Sequence, residues 1–301
     1  MGGGQNDEKG GDPMICPQPN FHSRYMRPQT PPTIATTVEV ADGARIACYC
    51  YGEPSKKAPV LMLHGNGGEH GVFGPIIDAL VESGRFVIGV DSRAQGKSSR
   101  GSAPITYELM AEDTLAVFDA LRVERAHILG YSDGGILCLI LASCAPEKVA
   151  SITTLGANIT PTGVVEEPAW DLAGTIRENR AWADFWLDPS KTSGQTLPED
   201  VDRTLLTPSP LESMVSAELL QLMLDHPNIA RESLTAIRCP ATIVVGEWDC
   251  IAEYETAQIV RSIPGARLVV IDAAPHSLPR AEPDRVLRLL TETIEAAEAS
   301  R

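Results

Sequence analysis

Short apolar runs alternate with segments of helical periodicity from about residue 32 onward, and this alternation constrains the fold more than any other feature of the chain. The runs APVLML, RFVIGVD, HILGY and VASITTLG have the length of strands and few polar residues, as is typical of strands buried between two layers. A hairpin, TIATTVEV and ARIACYCYG around ADG, precedes them, and ATIVVGEWD and ARLVVIDAAPH close the series. The pattern predicts an α/β fold whose mostly parallel sheet of about eight strands has helices on both faces.

Residues 159–237 interrupt the alternation between the sixth and seventh predicted strands. This segment has no strand-like run but is rich in tryptophan and aliphatic residues, so we predict a helical insertion within a core formed by residues 33–158 and 238–301. Its helices are too short to form a core of their own. They are therefore expected to fold over the sheet edge and roof an apolar pocket, with four aromatic side chains as candidates to line it: Trp170, Trp182, Phe185 and Trp186.

Residues 1–32 have a different composition from the rest, dominated by glycine, proline and polar residues. Such a segment cannot bury enough apolar surface to fold, so we predict a flexible lead or an expression remnant. It has no basic stretch followed by an apolar one, which argues against a secretory signal peptide. No apolar run in the chain approaches the roughly 20 residues that span a bilayer, so no membrane span is expected.

The sequence HILGYSDGG places Ser132 between a predicted strand and a predicted helix, with Gly130 and Gly134 two residues away on either side. A serine hydroxyl is a poor nucleophile unless a base accepts its proton and hydrogen-bond donors receive the developing oxyanion. A sharp strand-to-helix corner exposes the hydroxyl and aims the helix N-terminus at the reacting atoms. Because such a corner forces main-chain segments together, the flanking positions need glycine. Ser132 is therefore the candidate nucleophile.

An acid and a histidine follow two later strands in the order that a Ser–Asp–His triad requires. Asp249 comes directly after ATIVVGEW, and His276 follows ARLVVIDAAP. The carboxyl ends of parallel strands share one edge of the sheet, so both side chains are expected near Ser132. His64 is the rival base, but it precedes a glycine-rich loop that it more plausibly braces. Glu247 is the rival acid, two residues closer to the strand, and is expected to point elsewhere.

Five segments together resemble the α/β-hydrolase fold family from about residue 33 to the C-terminus: LMLHGNGG, VIGVDSRAQGKSS, HILGYSDGG, VVGEWDC and APHSLPRAEP. The resemblance implies that Ser132 is the nucleophile, His276 the general base and Asp249 its orienting acid. It also implies an oxyanion hole formed by the backbone N–H groups of Asn66 and Asp133, and a cap formed by the insertion.

Two positions depart from the family pattern or qualify it. In VDSRAQGKSS, Ala94 stands where the family usually has glycine; Asp91 and Arg93 of this loop are expected to be structural. Asp133 is unusual next to a nucleophile, because a carboxylate near an oxyanion hole opposes the developing charge unless it points away or is paired. We expect its side chain to turn away.

These features predict a serine hydrolase that cleaves an ester, thioester or related acyl bond of a small molecule through an acyl-enzyme. The same triad could instead serve carbon–carbon bond hydrolysis, acyl transfer or perhydrolysis, and some relatives of this fold act as ligand receptors with little turnover. No cofactor is predicted. The sequence leaves the substrate and the oligomeric state open.

Composition narrows the partners and the location. The net charge of −15 argues against nucleic-acid binding, because an acidic surface repels phosphates. The cysteines contain no CxxC pair and no Cys/His cluster, so no metal site is predicted. They are odd in number and are interpreted as reduced thiols of a cytoplasmic protein: Cys16, Cys48, Cys50, Cys138, Cys144, Cys239 and Cys250.

Overall fold

A computed structural model describes residues 27–165, 171–188, 190 and 209–300. Its eight strands form one sheet in the order β1-β2-β4-β3-β5-β6-β7-β8. β1 and β2 run antiparallel to their neighbours, and the other strands are parallel. The predicted fold class is therefore confirmed. The strands are β1 (Ile34–Glu39), β2 (Arg45–Tyr51), β3 (Val60–Leu63), β4 (Val87–Val90), β5 (Ala126–Tyr131), β6 (Val149–Leu155), β7 (Ala241–Trp248) and β8 (Arg267–Pro275).

Helices cover both faces of the sheet. The α-helices are α1 (Gly74–Glu82), α2 (Tyr107–Ala120), α3 (Asp133–Cys144), α4 (Leu172–Leu187), α5 (Pro210–Asp225), α6 (Arg231–Leu234), α7 (Glu253–Ser262), α8 (Leu278–Ala281) and α9 (Pro283–Ala299). Buried side chains of α1 and α9 belong to one apolar cluster, and those of α2, α3 and α7 belong to the other. Within the described residues, no helix is both long enough and apolar enough to cross a membrane.

The strand β3 shows why the central runs of the sequence are apolar throughout. Leu61 and Leu63 belong to the cluster under α2 and α3, while Val60 and Met62 belong to the cluster under α1 and α9. Successive side chains of a strand point to opposite faces, so a strand buried on both faces needs an apolar residue at every position.

The insertion leaves the sheet after β6 and returns at β7, and its described helices α4 and α5 pack against each other. We call these two helices the cover. The fully buried Glu255 of α7 holds the start of the insertion, because its carboxylate accepts hydrogen bonds from the N–H groups of Ile159 (2.7 Å) and Thr160 (3.1 Å). Arg100 forms a bidentate ion pair with Glu218 of α5, which connects the cover to the loop after β4.

Main-chain contacts with the core begin before the predicted boundary at residue 32. The N–H groups of Gln29 and Thr30 each donate a 2.9 Å hydrogen bond to the carboxylate of Asp78 on α1. Two donors on one half-buried acid fix the chain there, which composition alone does not indicate. The remainder of the predicted lead, residues 1–26, lies outside the described residues.

Candidate active site

Ser132 occupies a strained corner between β5 and α3. Its backbone has φ 52° and ψ −116°, a conformation that a residue with a side chain rarely adopts and that costs on the order of 1–3 kcal/mol. A Cβ atom at Gly130 would lie 2.0 Å from the carbonyl oxygen of Gly134, and one at Gly134 would lie 1.9 Å from the carbonyl oxygen of Leu63. No side chain fits at either position, so both glycines are a steric condition for this corner.

The structure brings Ser132, His276 and Asp249 together at the carboxyl edge of the sheet. His276 follows β8 and Asp249 follows β7, as the sequence predicts. His276 Nε2 lies 3.1 Å from Ser132 Oγ, and His276 Nδ1 lies 2.6 Å from Asp249 Oδ1. Asp249 is almost fully buried, and the same Oδ1 also accepts a 3.0 Å hydrogen bond from the N–H of Ile251. A continuous hydrogen-bonded chain thus runs from a hydroxyl through an imidazole to a carboxylate.

The surroundings of His276 favour its charged form. Burial disfavours the imidazolium, but the hydrogen bonds with Asp249 and with the side chain of Cys250 outweigh burial and hold the pKa of His276 above its ordinary value. An imidazole in this position can accept a proton from Ser132, because the positive charge it would gain faces a carboxylate.

The two N–H groups expected to form the oxyanion hole lie next to Ser132. Asp133 is the first residue of α3, and a Cβ atom on Gly65, directly before Asn66, would lie 3.0 Å from Ser132 Cβ. Among the described residues, no main-chain oxygen accepts a hydrogen bond from the N–H of Asn66 or of Asp133. Both donors are therefore available to a ligand, and the α3 N-terminus adds its positive dipole end.

The Asp133 carboxylate is paired, rather than turned away as expected. Oδ2 accepts a hydrogen bond from Asn66 Nδ2 (3.0 Å), and Oδ1 accepts one from the hydroxyl of Tyr107 (3.0 Å). Burial raises the pKa of Asp133 to about 6, against the opposing effect of these two donors. These two donors offset the negative charge of the carboxylate, so it opposes a developing oxyanion less than an unpaired carboxylate would.

Sequence reasoning missed Gly156 and Tyr107. Gly156 follows β6 with φ +60°, and a Cβ atom there would lie 2.7 Å from His276 Nδ1 and 3.0 Å from Asp249 Oδ2. The glycine directly after a buried strand was a usable signal, since that strand ends at the same sheet edge. Tyr107 gave no comparable signal, because its apolar spacing on α2 is that of an ordinary core residue.

The rival residues have other partners. His64 is fully buried; its Nδ1 donates to the Gly65 carbonyl (2.7 Å), and its Nε2 accepts from the N–H of Ser92 (2.9 Å). It therefore braces the loop that carries Asn66. Glu247 accepts a 2.6 Å hydrogen bond from the N–H of Ala273, at an irregularity between β7 and β8.

The loop after β4 is a buried polar scaffold, in line with the structural role expected for it. Asp91 accepts hydrogen bonds from His70 Nδ1 (2.7 Å) and from the N–H of Lys97 (2.9 Å). Arg93 is fully buried and pairs with Asp113 and Asp42. These contacts hold the loop and pair the charges of Asp91 and Arg93 within it.

A cavity of about 570 Å³ opens over Ser132 and His276. Its floor includes Asn66 and Asp133, and its roof comes from the cover. The roof residues on α4 are Leu172, Thr175, Glu178 and Asn179, and those on α5 are Ser216, Leu219, Leu220 and Met223. A volume of this size is typical of small-molecule sites.

The aromatic residues proposed for the pocket do not line this cavity where the structure describes them. Trp182 and Phe185 instead pack around Trp186, with ring centroids 5.5 Å and 5.1 Å from it. All three residues lie beyond Asn179, the last α4 residue that lines the cavity, by three to seven residues or about 4.5–10 Å along the axis at 1.5 Å per residue. Trp170 lies outside the described residues.

Comparisons with known proteins agree with this architecture. Residues 58–279 match the family described as the alpha/beta hydrolase fold. The rhodomycin D methylesterase DauP of Streptomyces sp. strain C5 is 27% identical over 264 residues, covering 76% of this chain and 88% of that protein. The serine hydrolase BPHL of Homo sapiens is 28% identical over 252 residues, covering 82% of each chain. The solved esterase EaEST of Exiguobacterium antarcticum, 22% identical, superposes with a TM-score of 0.67 over 87% of this chain and 100% of its own.

The chain belongs to the α/β-hydrolase fold family, which confirms the resemblance seen in the sequence. Its relatives are named as esterases and hydrolases, and it is an enzyme of this hydrolase fold.

Proposed function

We propose that the protein is a serine hydrolase that cleaves a carboxylic ester, thioester or related acyl bond of a small molecule. The observation that carries the proposal is the hydrogen-bonded chain from Ser132 through His276 to Asp249 on the floor of a cavity of small-molecule size. Nucleophile, base and orienting acid within hydrogen-bond reach of one another are what acyl transfer through serine needs.

In the first half of the proposed reaction, Ser132 Oγ attacks the acyl carbon and His276 Nε2 takes the hydroxyl proton. The 3.1 Å distance between these two atoms supports this transfer. Asp249 stabilises the imidazolium, and the N–H groups of Asn66 and Asp133 bind the oxyanion. As the tetrahedral intermediate collapses, the leaving alcohol or thiol takes the proton from Nε2, and the acyl group stays on Ser132.

In the second half, His276 accepts a proton from a water that attacks the acyl-enzyme. The same two N–H groups bind the second oxyanion, and the proton returns from Nε2 to Ser132 Oγ as the acid leaves. Every step uses one base and one pair of donors, so no further titratable group is required.

Small esters are the substrate class that we favour. DauP is named as a methylesterase and EaEST as an esterase. The roof of the cavity combines apolar side chains of α5 with polar side chains of α4, which suits a substrate with an apolar part and a polar part. We also propose a cytoplasmic location, which the six unpaired cysteines among the described residues support.

The decisive test is a fluorophosphonate label combined with turnover of p-nitrophenyl esters of graded chain length. We expect the Ser132→Ala variant to lose labelling and at least about 10⁴-fold in kcat, with its fold intact by circular dichroism. The matched control is Ser216→Ala, since Ser216 also lines the cavity; this variant should keep both the labelling and the ester turnover of the parent. Labelling that survives Ser132→Ala would overturn the assignment of the nucleophile. Labelling without turnover of any acyl substrate would favour a receptor, and transfer to added alcohols or peroxide in place of water would favour the alternative chemistries.

The pH profile tests the base. His276 must be neutral to accept a proton, so activity rises with pH, and because Asp249 raises the pKa of His276 the rise is expected above about 6.5, the ordinary histidine value. Asp249→Asn removes that effect, so the rise shifts to lower pH while the maximal rate falls. A profile that is flat in the parent, or unchanged in position in Asp249→Asn, would contradict the roles of both residues.

A further inference from the structure

Three side chains with different metal-ligating atoms converge at the carboxyl end of β7. One ligating atom from each of Asp249, Cys250 and His276 lies within 4.8 Å of the other two. Cys250 and His276 both line the cavity, and Cys250 is a half-buried free thiol. The loop that holds Cys250 is fixed, since its carbonyl oxygen accepts a 2.7 Å hydrogen bond from the N–H of Val165 and the next residue, Ile251, bridges to Val164.

This set of atoms matches the preferences of Zn²⁺ and its thiophilic relatives. Zinc takes thiolate, imidazole and carboxylate ligands in a four-coordinate arrangement, at about 2.3 Å for sulfur and about 2.0–2.2 Å for nitrogen and oxygen. Ligand atoms around such an ion lie about 3.5 Å apart, so the present spacing needs only small side-chain movements. One carboxylate and one thiolate also neutralise a divalent cation, which lowers the cost of holding it in a half-buried site.

We propose that Asp249, Cys250 and His276 form an inhibitory binding site for a thiophilic divalent cation such as Zn²⁺ or Cd²⁺. The ion binds Asp249 through a carboxylate oxygen, Cys250 through the thiolate and His276 through Nδ1. The thiol proton is released to solvent. From the neutral imidazole, the proton on Nδ1 is replaced by the metal and reappears on Nε2 through solvent, so one proton leaves for each ion bound; from the imidazolium, the Nδ1 proton also goes to solvent and two protons leave.

Inhibition follows from the position of that second proton, and this part of the proposal rests on the proposed function. With the metal on Nδ1, Nε2 carries a hydrogen and donates to Ser132 Oγ instead of accepting its proton. Asp249 at the same time loses its hydrogen bond with the imidazole. The serine is left without a base, while the cavity stays open to substrate.

Sequence patterns predict no metal site because the ligands come from two strands. Asp249 and Cys250 are adjacent, and His276 enters from the end of the neighbouring strand β8, so no short ligand spacing exists. The parallel pairing of β7 with β8 creates the cluster.

Binding is tested on the full chain with Cd²⁺, which gives a charge-transfer absorbance when it binds thiolate. We expect one such site in the parent and in Cys144→Ser, the matched control with an exposed thiol on α3. Cys250→Ser loses the absorbance and binds Cd²⁺ at least about tenfold more weakly, because losing a residue that only supports a metal ligand already costs about 10- to 100-fold in affinity. Equal absorbance in Cys250→Ser and the parent, or no absorbance in the parent, would overturn the site.

A second measurement does not depend on any variant that could fail to fold. Zn²⁺ should protect Cys250 in the parent from alkylation by iodoacetamide, read by mass spectrometry of its peptide, while Cys144 reacts at the same rate with and without the ion. Unchanged alkylation of Cys250 at saturating Zn²⁺ would overturn the proposal.

Inhibition is measured as the Zn²⁺ concentration that halves ester turnover, relative to the metal-free rate of each protein. Cys250→Ser should need at least about tenfold more Zn²⁺ than the parent or Cys144→Ser, and a chelator should restore activity. Cysteine-dependent binding without ester turnover in any condition would contradict the proposed function and leave the metal site standing. Full ester turnover with no cysteine-dependent binding would contradict the metal site and leave the proposed function standing.

Discussion

At the carboxyl edge of the sheet, the main chain is packed so closely that some positions have no room for a side chain. The cover, in contrast, is joined to the core chiefly through side chains. Gly130 and Gly134 leave no room for a methyl group, and Gly156 leaves none beside His276 and Asp249. The cover is held by the Arg100–Glu218 ion pair and by a 3.1 Å hydrogen bond from Asn66 Nδ2 to the Leu219 carbonyl. Between its own helices, Arg180 donates to Gln221 at 3.2 Å.

The difference indicates how much change each region tolerates. The glycines at the sheet edge make contacts that no other residue can make. The geometry of the reacting groups is therefore well defined, but a substitution at one of these glycines disrupts it. The cover presents exchangeable side chains to the cavity, so its residues can change the substrate with little effect on the fold. Asn66 connects the two regions, since its side chain contacts both Asp133 and α5.

The largest effect is expected at the sheet edge, from Gly134→Ala. Its methyl group would lie 1.9 Å from the Leu63 carbonyl oxygen, so β3 and α3 must separate, and we expect a loss of at least about 3 kcal/mol in the free energy of unfolding together with loss of ester turnover. Urea denaturation measures the first quantity.

The neighbouring Gly135→Ala is the matched control. Its methyl group would lie 2.9 Å from Ala157 Cβ and 3.4 Å from the Gly130 carbonyl oxygen, a much looser fit than at Gly134, and alanine gains about 1 kcal/mol over glycine inside a helix. We expect its stability to stay within about 1 kcal/mol of the parent. Equal losses in the two variants would show that the whole start of α3 is fragile, and not the contact with β3 in particular.

A smaller effect is expected in the cover, from Met223→Ala. Met223 lines the cavity from α5, and removing its side chain should change the ratio of kcat/KM between long and short acyl chains by more than about tenfold, or about 1.4 kcal/mol. The p-nitrophenyl ester series measures this ratio.

Phe185→Ala is the control for that prediction, because Phe185 belongs to the same cover but packs on Trp186 away from the cavity. Its chain-length ratio should match that of the parent. If Phe185→Ala shifts the ratio and Met223→Ala does not, then the cover sets selectivity through its packing and not through the side chains that line the cavity.

The smallest effect is expected from replacing alanine by glycine, which should change the free energy of unfolding in opposite directions in the loop after β4 and in the cover. Ala94 follows β4 with φ 63°, a conformation that costs a non-glycine residue about 1–2 kcal/mol, so Ala94→Gly should raise the free energy of unfolding by about 0.5 kcal/mol after the entropic cost of glycine. Ala183→Gly, in the buried face of α4, should lower it by about 1 kcal/mol or more. Melting temperatures that move in the same direction in both variants would contradict the assignment of backbone strain to the sheet edge.

The site could be predicted from the sequence as far as each residue is fixed by its position relative to a strand. Ser132, Asp249 and His276 each follow a buried strand, and parallel strands end at one edge, so local patterns were enough to bring them together. The pairing of Asp133 was beyond such reasoning, because Tyr107 reaches it from α2 and Asn66 from the loop after β3. The placement of the aromatic residues on α4 failed for a related reason, since spacing gives the face of a helix but not which part of that face lies over a cavity.

The sequence by itself determined the α/β class, the order of the strands and helices along the chain and the corner at Ser132. These follow from periodicity and from the steric needs of glycine, which act over a few residues. The tertiary structure alone decided which side chains roof the cavity, that Gly156 packs against His276 and Asp249, and that Cys250 lies beside His276. These depend on distances between residues far apart in the chain, which the packing of helices on a twisted sheet sets and local sequence does not encode.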